Sequence, residues 1–382
     1  MKPGWRAAAL LPILIAVTLL SGCGGGGAGS EFSDKSCTLQ EYNKSNLPAL
    51  PGISVVADNP LYYQQWAIHY DRYFYYGNDI DDEASIHMSE EHRFLGRGVK
   101  VAVIDDGLDV DHEDLVGAVV ATYDVATGMT DVRPTRDTQN HGTEVTGIIA
   151  ARNNAIGLLG VAPEAEVYFI RLPFGRSVST FEIVEAFEKA KEWGVDVINC
   201  SWGSGDVDPA VRDIIADLAT HGRNGKGTVI VFAAGNEDQP IGKDEASLPE
   251  VIAVGATNRE NLRSSYSNYG ESLDIMAPGG EYIGLTTLDQ MGSAGLSSRD
   301  PDYLEYDDPY NAFGGTSASA PIVTGVVALL LEANPNLTRQ NVQNVLACSA
   351  DKIGRIPYGG DGFNDYYGYG KVNLKKAMAL VR

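Results

Sequence analysis

The sequence predicts an α/β domain with a central, mostly parallel sheet and helices on both of its faces. Several apolar segments of strand length read as strands buried on both sides: 99–105, 166–172, 195–201, 228–235 and 251–256. Helical patterns lie between them, and strands that alternate with helices build parallel sheets. Ligands of such sheets bind beyond the carboxyl ends of the strands, so we expect the functional site at that edge.

The helices between the strands have recognisable ends. The segment 180–193 has an apolar face, and Gly194 is suited to end it. The segment 208–222 behaves similarly and ends in a glycine. A longer apolar helix begins near Ser317, and we expect Pro321 within its first turn, where proline is tolerated.

The overall composition is that of a folded protein with an acidic surface. The chain has 382 residues, of which 44% are hydrophobic and 21% are charged, which is enough for one large domain. Its formal net charge of -22 argues against nucleic acid as a partner. A basic substrate would match this charge, although the acidic balance is equally consistent with solubility alone.

The first 23 residues have the pattern of a targeting segment. Lys2 and Arg6 precede an apolar run, and the tetrapeptide LSGC ends at Cys23. LSGC resembles the lipobox, whose cysteine carries the lipid of the mature protein; an ordinary signal peptide is the alternative. We therefore predict a signal peptide over 1–22, a flexible tether over 23–50 and a protein lipid-anchored outside the cytoplasm, at an outer membrane or cell surface.

The cysteines do not form a recognisable disulfide or zinc pattern. If Cys23 carries lipid, then Cys37, Cys200 and Cys348 remain, so at least one of them is unpaired within a monomer. No CxxC occurs, and no disulfide is predicted.

Two acidic, irregular segments interrupt the alternation of strands and helices. Residues 75–92 contain DIDDE, which is loosely like a calcium-binding loop but lacks the glycine at its turn, so we interpret it as a solvated loop. Residues 289–311 are long for a loop in a compact domain, which indicates either a function or mobility.

Four short motifs carry the residues of a nucleophilic site. VIDDG contains Asp105, NHGTEVTGIIAA contains His141, VFAAGNED contains Asn236 and GGTSASAP contains Ser317. A serine needs a base to take its proton, and a histidine in that role needs a carboxylate to orient it. A helix N-terminus and a side-chain amide can both stabilise a developing oxyanion.

These motifs, in this order, resemble those of the subtilisin-like serine proteases. The resemblance covers about residues 59–382 and implies a subtilisin-like catalytic domain over 51–382, a three-layer α/β fold. It implies that Asp105 orients the base, His141 is the general base, Ser317 is the nucleophile and Asn236 donates to the oxyanion. NPLYYQQWAI, DDG and SWGSGD are closest in style to the kexin and furin branch.

The branch resemblance also implies a substrate cleft. Asp106 is expected to point away from Asp105, face the cleft and receive a basic side chain; capping of its own turn is the alternative. Asp206 matches a pocket-lining aspartate, with a helix N-cap as the alternative. Thr138 stands where the branch has an acid, so the acidic lining is only partly reproduced. A substrate-pairing edge is expected at Ser201, Trp202 and Gly203.

ARNNAIGLLGVAP is similar to the subtilase loop that surrounds a structural calcium ion. Oxygen ligands, several of them backbone carbonyls, suit Ca²⁺; a hydrogen-bonded loop without an ion is the alternative. Asn268 replaces a carboxylate of the furin branch, so no second ion is predicted. The implied ligands are Asn59, Asp114, Arg152, Asn154, Ile156 and Leu158.

The sequence thus predicts a serine endopeptidase acting on proteins or peptides, with a preference for cleavage after Lys or Arg as a further hypothesis. Two alternatives stay open. One is a peptide ligase or macrocyclase on the same fold, for which residues 289–311 could exclude water. The other is a surface lipoprotein that only binds. The sequence does not indicate the natural substrate or the oligomeric state.

Overall fold

The computed structural model describes residues 47, 58–88, 93–136, 139–300, 302–308 and 312–382. The predictions for the signal peptide, for lipidation of Cys23 and for Thr138 lie outside these residues, as does nearly all of the predicted tether.

The centre of the fold is a seven-stranded sheet in which every neighbouring pair is parallel. Its strand order is β2-β3-β1-β4-β5-β6-β7. A separate antiparallel pair, β8 and β9, lies outside it. The α/β fold class is therefore confirmed. The strands are β1 Lys100–Asp105, β2 Val119–Asp124, β3 Glu166–Arg171, β4 Val197–Cys200, β5 Val229–Ala233, β6 Ile252–Thr257, β7 Ile275–Pro278, β8 Thr287–Leu288 and β9 Tyr303–Leu304.

Helices cover both faces of the sheet, as predicted. In β1, Val101 and Val103 pack with α2 and α5, whereas Ala102 and Ile104 pack with α3 and α4, because successive strand residues point to opposite faces. All four side chains are fully buried. The helices are α1 Arg72–Gly77, α2 His141–Ala150, α3 Thr180–Trp193, α4 Pro209–Gly225, α5 Thr316–Ala333, α6 Arg339–Ser349 and α7 Leu374–Val381.

The helix ends follow the local signals in the sequence. Ser179 caps α3 in a capping box with Glu182, and Gly194 ends it at φ 62°. Asp208 caps α4 by accepting a hydrogen bond from Ala210 N–H, and its backbone leaves helical geometry at Gly222. These ends confirm the predicted extents. The N-cap alternative for Asp206 is wrong, because Asp208 occupies that position.

The start of α5 corrects the prediction for Pro321. The helix begins at Thr316, so Pro321 lies beyond the first turn and cannot donate to the carbonyl of Ser317. That carbonyl instead accepts a hydrogen bond from the Ser201 hydroxyl at 3.0 Å. Although α5 is long and apolar enough to cross a membrane, 89% of it is buried inside the fold, as a core helix would be.

One cysteine forms a disulfide that the sequence left open. Cys348 is disulfide-bonded, and its partner lies outside the described residues. Cys200, at the end of β4, is a free and fully buried thiol. Pairing depends on which cysteines the tertiary fold brings together, so the spacing in the sequence did not reveal it.

Candidate active site

The sheet order brings the motif residues to one edge. β1, β4 and β5 are neighbours in the sheet. Asp105 is the last residue of β1, Ser201 follows β4 directly, and Asn236 lies three residues after the end of β5. α2 begins at His141, and Ser317 is the second residue of α5. The site therefore lies beyond the carboxyl ends of parallel strands, where the sequence predicted it.

Asp105 and His141 form a short, shielded pair. Nδ1 of His141 lies 2.8 Å from Oδ1 of Asp105, and the aspartate is only 1% exposed. Burial lowers the pKa of His141, but the charge and hydrogen bond of Asp105 outweigh it, so the pKa lies above its ordinary value of 6.5. The ring of Phe313 packs edge-on against the imidazole at 5.6 Å between centroids.

Asp106 contacts the same helix turn as its neighbour. Its carboxylate accepts a hydrogen bond from Gly142 N–H at 3.0 Å, and the residue is 7% exposed. Burial, followed by the charge of Asp105, raises the pKa of Asp106 to about 7. The carboxylate of Asp106 is therefore not exposed to the cleft as expected, because it accepts a hydrogen bond from the first turn of α2. Direct substrate binding by Asp106 stays a prediction.

Ser317 lies at the N-terminus of α5, where backbone N–H groups lack helical partners. Its hydroxyl donates to the carbonyl of Ser201 at 3.1 Å. Among the described residues it forms no hydrogen bond with His141. Free enzymes often hold catalytic hydrogen bonds that align only once substrate is bound. Rotation of the Ser317 hydroxyl away from Ser201 would free it for a base.

The orientation of the Asn236 amide is fixed by its neighbours. The backbone N–H of Thr316 donates to Oδ1 of Asn236 at 2.8 Å, and the Thr316 hydroxyl lies 3.0 Å from the same oxygen. Because a backbone N–H can only donate, the oxygen must face Thr316, which leaves the NH₂ group free as a donor. Gly315 has φ 95°, and a Cβ there would lie 3.3 Å from the amide.

The predicted substrate edge follows β4. The backbone of residues 201–203 forms no backbone–backbone hydrogen bond within the described part of the chain. Trp202 turns its side chain inward, where its indole donates to the carbonyl of Ile104 at 2.8 Å. An extended peptide could therefore pair with this free edge. Asp206, farther along, is exposed, and its backbone forms an isolated parallel β-bridge with Lys243.

Two acidic residues that the sequence did not single out flank this edge. A Cβ on Gly203 would lie 3.2 Å from the carboxylate of Asp244, and Ser204 N–H donates to Glu245 at 3.0 Å. Each carboxylate has one buried oxygen without a hydrogen-bond partner. Burial, followed by the charge of Glu245, raises the pKa of Asp244 to about 6. Consecutive acids in a loop gave no sequence signal, since their approach to β4 depends on the fold.

Glu144 is a further acid near the histidine. It lies one turn after His141 on α2, is 6% exposed, and its carboxylate has no hydrogen bond with any described residue. Burial raises the pKa of Glu144 to about 8, with the nearby charge of His141 opposing the shift. The motif placed this residue in the right helix, but its burial could not be predicted from the sequence.

The residues implied for calcium converge around one amide. Nδ2 of Asn59 lies 2.6–3.3 Å from four oxygen atoms, although an amide nitrogen has only two hydrogens to donate. Oδ1 of Asn59 and Oδ1 of Asp114 are both buried without a partner. We call these two side chains and the four oxygens around the amide the oxygen cluster. The four oxygens are Arg152 O, Asn154 Oδ1, Ile156 O and Leu158 O.

The surplus of oxygen atoms fits a calcium ion better than it fits a hydrogen-bonded loop. If the amide of Asn59 turned by 180°, its side-chain oxygen would join the four oxygens that now surround the nitrogen. Burial raises the pKa of Asp114 to about 7, as expected for a carboxylate without a countercharge. No group of three or more His, Cys, Asp or Glu that could hold a metal occurs among the described residues. The oxygen cluster instead relies on carbonyls, which Ca²⁺ accepts.

The fold and this site together define the class of subtilisin-like serine proteases. The model of the subtilase family, peptidase S8, matches residues 96–370. The chain is 37% identical over 313 residues to the calcium-dependent protease of Nostoc sp., covering 75% of this chain and 47% of that protein. It is 31% identical over 347 residues to subtilisin NAT of Bacillus subtilis subsp. natto, covering 90% and 80% respectively.

A solved structure is similar over most of the fold. The crystal structure of a serine protease of Aeromonas sobria superposes with a TM-score of 0.73 at 25% sequence identity, covering 94% of this chain and 71% of that one. The chain spans about half the length of the Nostoc relative. The chain belongs to the subtilase family, which confirms the family expected from the motifs. Membership of the kexin and furin branch stays a prediction.

Proposed function

We propose that this chain is a serine endopeptidase that cleaves peptide bonds through an acyl-enzyme intermediate. The observation that carries the proposal is the hydrogen-bonded pair of Asp105 and His141 beside a helix N-terminus that presents Ser317. The oriented amide of Asn236 at the same helix start supports it. The free edge at residues 201–203 provides a place for extended substrate.

The chemistry follows from these positions. The Ser317 oxygen attacks the scissile carbonyl carbon while Nε2 of His141 takes its proton. Asp105 holds the imidazole and stabilises its positive charge. The amide of Asn236 and the backbone N–H of Ser317 at the start of α5 stabilise the oxyanion. The imidazolium then protonates the leaving amine, and water attacks the acyl-enzyme to release the acid and regenerate the serine.

A serine-directed fluorophosphonate tests this proposal directly. We expect the parent to be labelled at Ser317, and Ser317→Ala to lose both labelling and peptide hydrolysis while remaining folded. Ser319→Ala is the matched control, because Ser319 lies on the same helix but donates to the carbonyl of Ala277. Labelling that survives in Ser317→Ala would exclude Ser317 as the nucleophile.

The same experiment separates the alternatives. A parent that folds but takes no label would favour the binding lipoprotein. A parent that takes label, then joins peptides to an added amine in preference to releasing acids, would favour the ligase or macrocyclase. Hydrolysis as the main outcome supports the endopeptidase.

We also propose that the oxygen cluster binds a structural Ca²⁺. The two buried, unpartnered oxygens of Asn59 and Asp114 support this, because an ion would satisfy both. Binding to the native state alone stabilises it by about 2.7 kcal/mol when free Ca²⁺ is 100-fold above Kd. We expect excess chelator to lower the melting temperature of the parent, and restored Ca²⁺ to raise it again.

Asp114→Asn tests the assignment of the site. It keeps the side-chain shape but removes the only carboxylate of the oxygen cluster, so the melting temperature should respond much less to Ca²⁺ than that of the parent. Asp111→Asn is the control, because Asp111 is exposed and pairs with Arg133 at the surface. Equal responses of parent and Asp114→Asn would argue against calcium at this place.

Cleavage after Lys or Arg is the specificity we propose. The support comes from Asp244 and Glu245, whose buried, unpartnered oxygens lie beside the substrate edge. A basic side chain would provide the missing donors and charge. Asp206 and Asp106 remain candidates for further basic contacts.

A peptide-library cleavage profile tests this specificity. We expect cleavage mainly after Lys and Arg in the parent, and a marked loss of that preference in Asp244→Asn. Asp238→Asn is the control, because Asp238 lies in the same loop region but pairs with Arg263. Cleavage mainly after large apolar residues in the parent would exclude a basic pocket.

We propose finally that the protein is anchored to a bacterial membrane through lipid on Cys23. The support is the LSGC sequence that follows an apolar core. We expect Cys23→Ala to move the protein from the membrane fraction to the soluble fraction, with Ser30→Ala, in the predicted tether, as the control. An unchanged distribution would rule out lipidation at Cys23.

A further inference from the structure

The long acidic segment that interrupts the fold is anchored at both of its ends. We call residues 289–308 the strap; it follows β8 and contains β9. The two strands pair antiparallel, and Gly292 N–H donates to Asp302 at 2.8 Å, which ties the near part of the strap to the far part. The strap is thus held as one hairpin-like unit rather than as an open loop.

The near end of the strap binds the residue that precedes the histidine. Nδ2 of Asn140 donates to Asp289 at 2.7 Å, and the Gln290 side-chain amide donates to Oδ1 of Asn140. Ser297 N–H, from within the strap, donates to the same Asp289 carboxylate at 2.7 Å. Asn140 is 1% exposed and Asp289 fully buried. Because Asn140 and Asp289 are buried, they do not contact substrate, and any effect on activity comes from how they position neighbouring residues.

Asn140 in turn sets the start of α2. Its carbonyl accepts hydrogen bonds from the N–H groups of Thr143 at 2.8 Å and Glu144 at 3.0 Å. A second route runs through Asp109, which accepts from Met291 N–H of the strap at 3.0 Å. The N–H of Asp109 donates to the Thr143 hydroxyl at 3.0 Å. The strap is thus fixed to the first turn of α2 on both sides of His141.

The far end of the strap packs on the oxygen cluster. His112 accepts from Asp114 N–H through Nδ1, so its Nε2–H donates to the carbonyl of Asp302 at 2.9 Å. The Tyr303 hydroxyl lies 3.1 Å from Glu113. A Cβ on Gly157 would lie 2.3 Å from both the Tyr303 ring and Asp114. The tyrosine ring thus packs against Gly157, on the side of the loop where the Asp114 carboxylate lies.

We propose that the strap positions His141 through Asn140, and that its contact with the oxygen cluster through Tyr303 makes this position depend on the ion held there. Asp289 and Asn140 are then positioning residues, and Tyr303 couples the two ends. The inference rests on the proposed endopeptidase and calcium roles, and it gives the ion a part in activity as well as in stability.

A small displacement of the histidine is enough for a large effect. Catalytic groups must be held within about 0.5 Å of their productive geometry. A misplacement of about 1 Å can cost about 100-fold in rate. The imidazole has two supports, the carboxylate of Asp105 and the start of α2, so a shift of the helix start displaces it relative to Ser317.

Asp289→Ala tests the near end. We expect kcat to fall at least ~10-fold with a much smaller change in KM, since the substrate edge is untouched. The low-field proton resonance of His141 Nδ1–H, which is observable without substrate, should shift or broaden. The control is Asp307→Ala, because Asp307 forms an ion pair with Arg299 within the strap, at 2.5 Å, and makes no hydrogen bond or ion pair with Asn140 or α2 among the described residues. A parent-like kcat and resonance in Asp289→Ala would overturn the proposal.

Tyr303→Ala tests the far end. We expect it to shift the same His141 resonance as Asp289→Ala does, whereas Tyr303→Phe, which keeps the ring, should leave the resonance parent-like. An unchanged resonance in a folded Tyr303→Ala would overturn the link between the two ends.

Chelation separates this inference from the calcium proposal. We expect excess chelator to shift the His141 resonance of the parent and to lower its kcat along with its melting temperature. A lowered melting temperature with an unchanged resonance would overturn the strap as the link, while calcium binding would stand. A parent without hydrolytic activity would contradict the endopeptidase, and the resonance would still report on the strap.

Discussion

The amide of Asn236 shows how a single residue acquires a defined role from its surroundings. Thr316 holds the oxygen of this amide, so the NH₂ group faces away from the helix start as a donor. We expect Asn236→Ala to lower kcat by about 100- to 1,000-fold with little change in KM, because one oxyanion donor acts mainly in the transition state. Steady-state kinetics on a peptide ester and a peptide amide would measure this.

Thr316→Val is the companion variant for that prediction. It keeps the backbone N–H that orients the amide but removes the hydroxyl contact, so a smaller loss of kcat is expected. A larger loss in Thr316→Val than in Asn236→Ala would show that the amide is not the main donor.

The pair of Asp105 and His141 predicts a pH dependence whose sign can be worked out. His141 must be neutral to accept a proton, and Asp105 raises its pKa above 6.5. We therefore expect kcat/KM to fall as the pH is lowered through a value above 6.5. The contribution of the pair to the stability of the fold has the opposite trend. It is fully present below the pKa of His141 in the unfolded chain, and it is lost as the pH rises through the pKa of His141 in the folded protein.

Asp105→Asn provides the measurement for this prediction. The rate should fall by about 10,000-fold, as expected when the histidine loses its orienting carboxylate, and the acid limb of the profile should move to lower pH. Asp106→Asn is the matched neighbour: its amide oxygen can still accept from Gly142, so a far smaller loss is expected. Identical profiles for the parent and Asp105→Asn would contradict the assignment.

Sequence reasoning located some of these residues well and others not at all. Local signals placed Asp105 at the carboxyl end of a buried strand and His141 ahead of a helix, and the resemblance of the motifs to those of the subtilases implied that the two residues act together. The contact of Asp106 with Gly142 was missed, since alternation along a strand gives a direction but not a partner. Asp244 and Glu245 were missed because only the tertiary fold brings their loop to β4.

The start of α5 shows how elements compensate for one another. Pro321 removes one hydrogen bond from the helix, and the Ser201 hydroxyl satisfies the carbonyl that is left over. We expect Ser201→Ala to destabilise the protein by about 1–3 kcal/mol, since the part-buried carbonyl of Ser317 would lose its partner. Urea unfolding in a Ser317→Ala background, which prevents self-cleavage, would measure the change.

A double-mutant cycle makes that prediction specific. In a Pro321→Ala background the helix can supply its own N–H to the carbonyl of Ser317, so Ser201→Ala should cost much less. Equal costs in the two backgrounds would mean that Ser201 stabilises the fold in another way. The position of Pro321 was predicted wrongly because the helix already starts at Thr316, directly after Gly315 at φ 95°, which leaves Pro321 beyond the first turn.

The strands and helices themselves were predicted with fewer errors than their contacts. Runs such as 195–201 are apolar on both faces, and this is sufficient to indicate a parallel sheet. The strap was recognised only as a long segment with a function or mobility. Its attachment to Asn140 and to the oxygen cluster joins residues far apart in sequence, which no local pattern encodes.

At the scale of the whole molecule, the net charge of -22 gives a test of how basic substrates are found. A strongly acidic surface attracts positively charged peptides over distances comparable to the Debye length, which is about 30 Å at 0.01 M salt and about 8 Å at 0.15 M. We therefore expect kcat/KM for a peptide with several Lys or Arg residues to fall as salt is raised over this range. A peptide with a single basic residue at the cleavage site should change much less.

Asp244→Asn distinguishes this long-range field from the pocket. It removes one charge out of many, so the slope of log kcat/KM against log salt should remain close to that of the parent. The absolute value should drop, because a basic side chain in the pocket loses its local partner. If the slope of log kcat/KM against log salt falls to near zero together with kcat/KM, the salt dependence comes from Asp244 itself. If salt leaves both peptides unaffected, the acidic surface serves solubility and does not steer substrate.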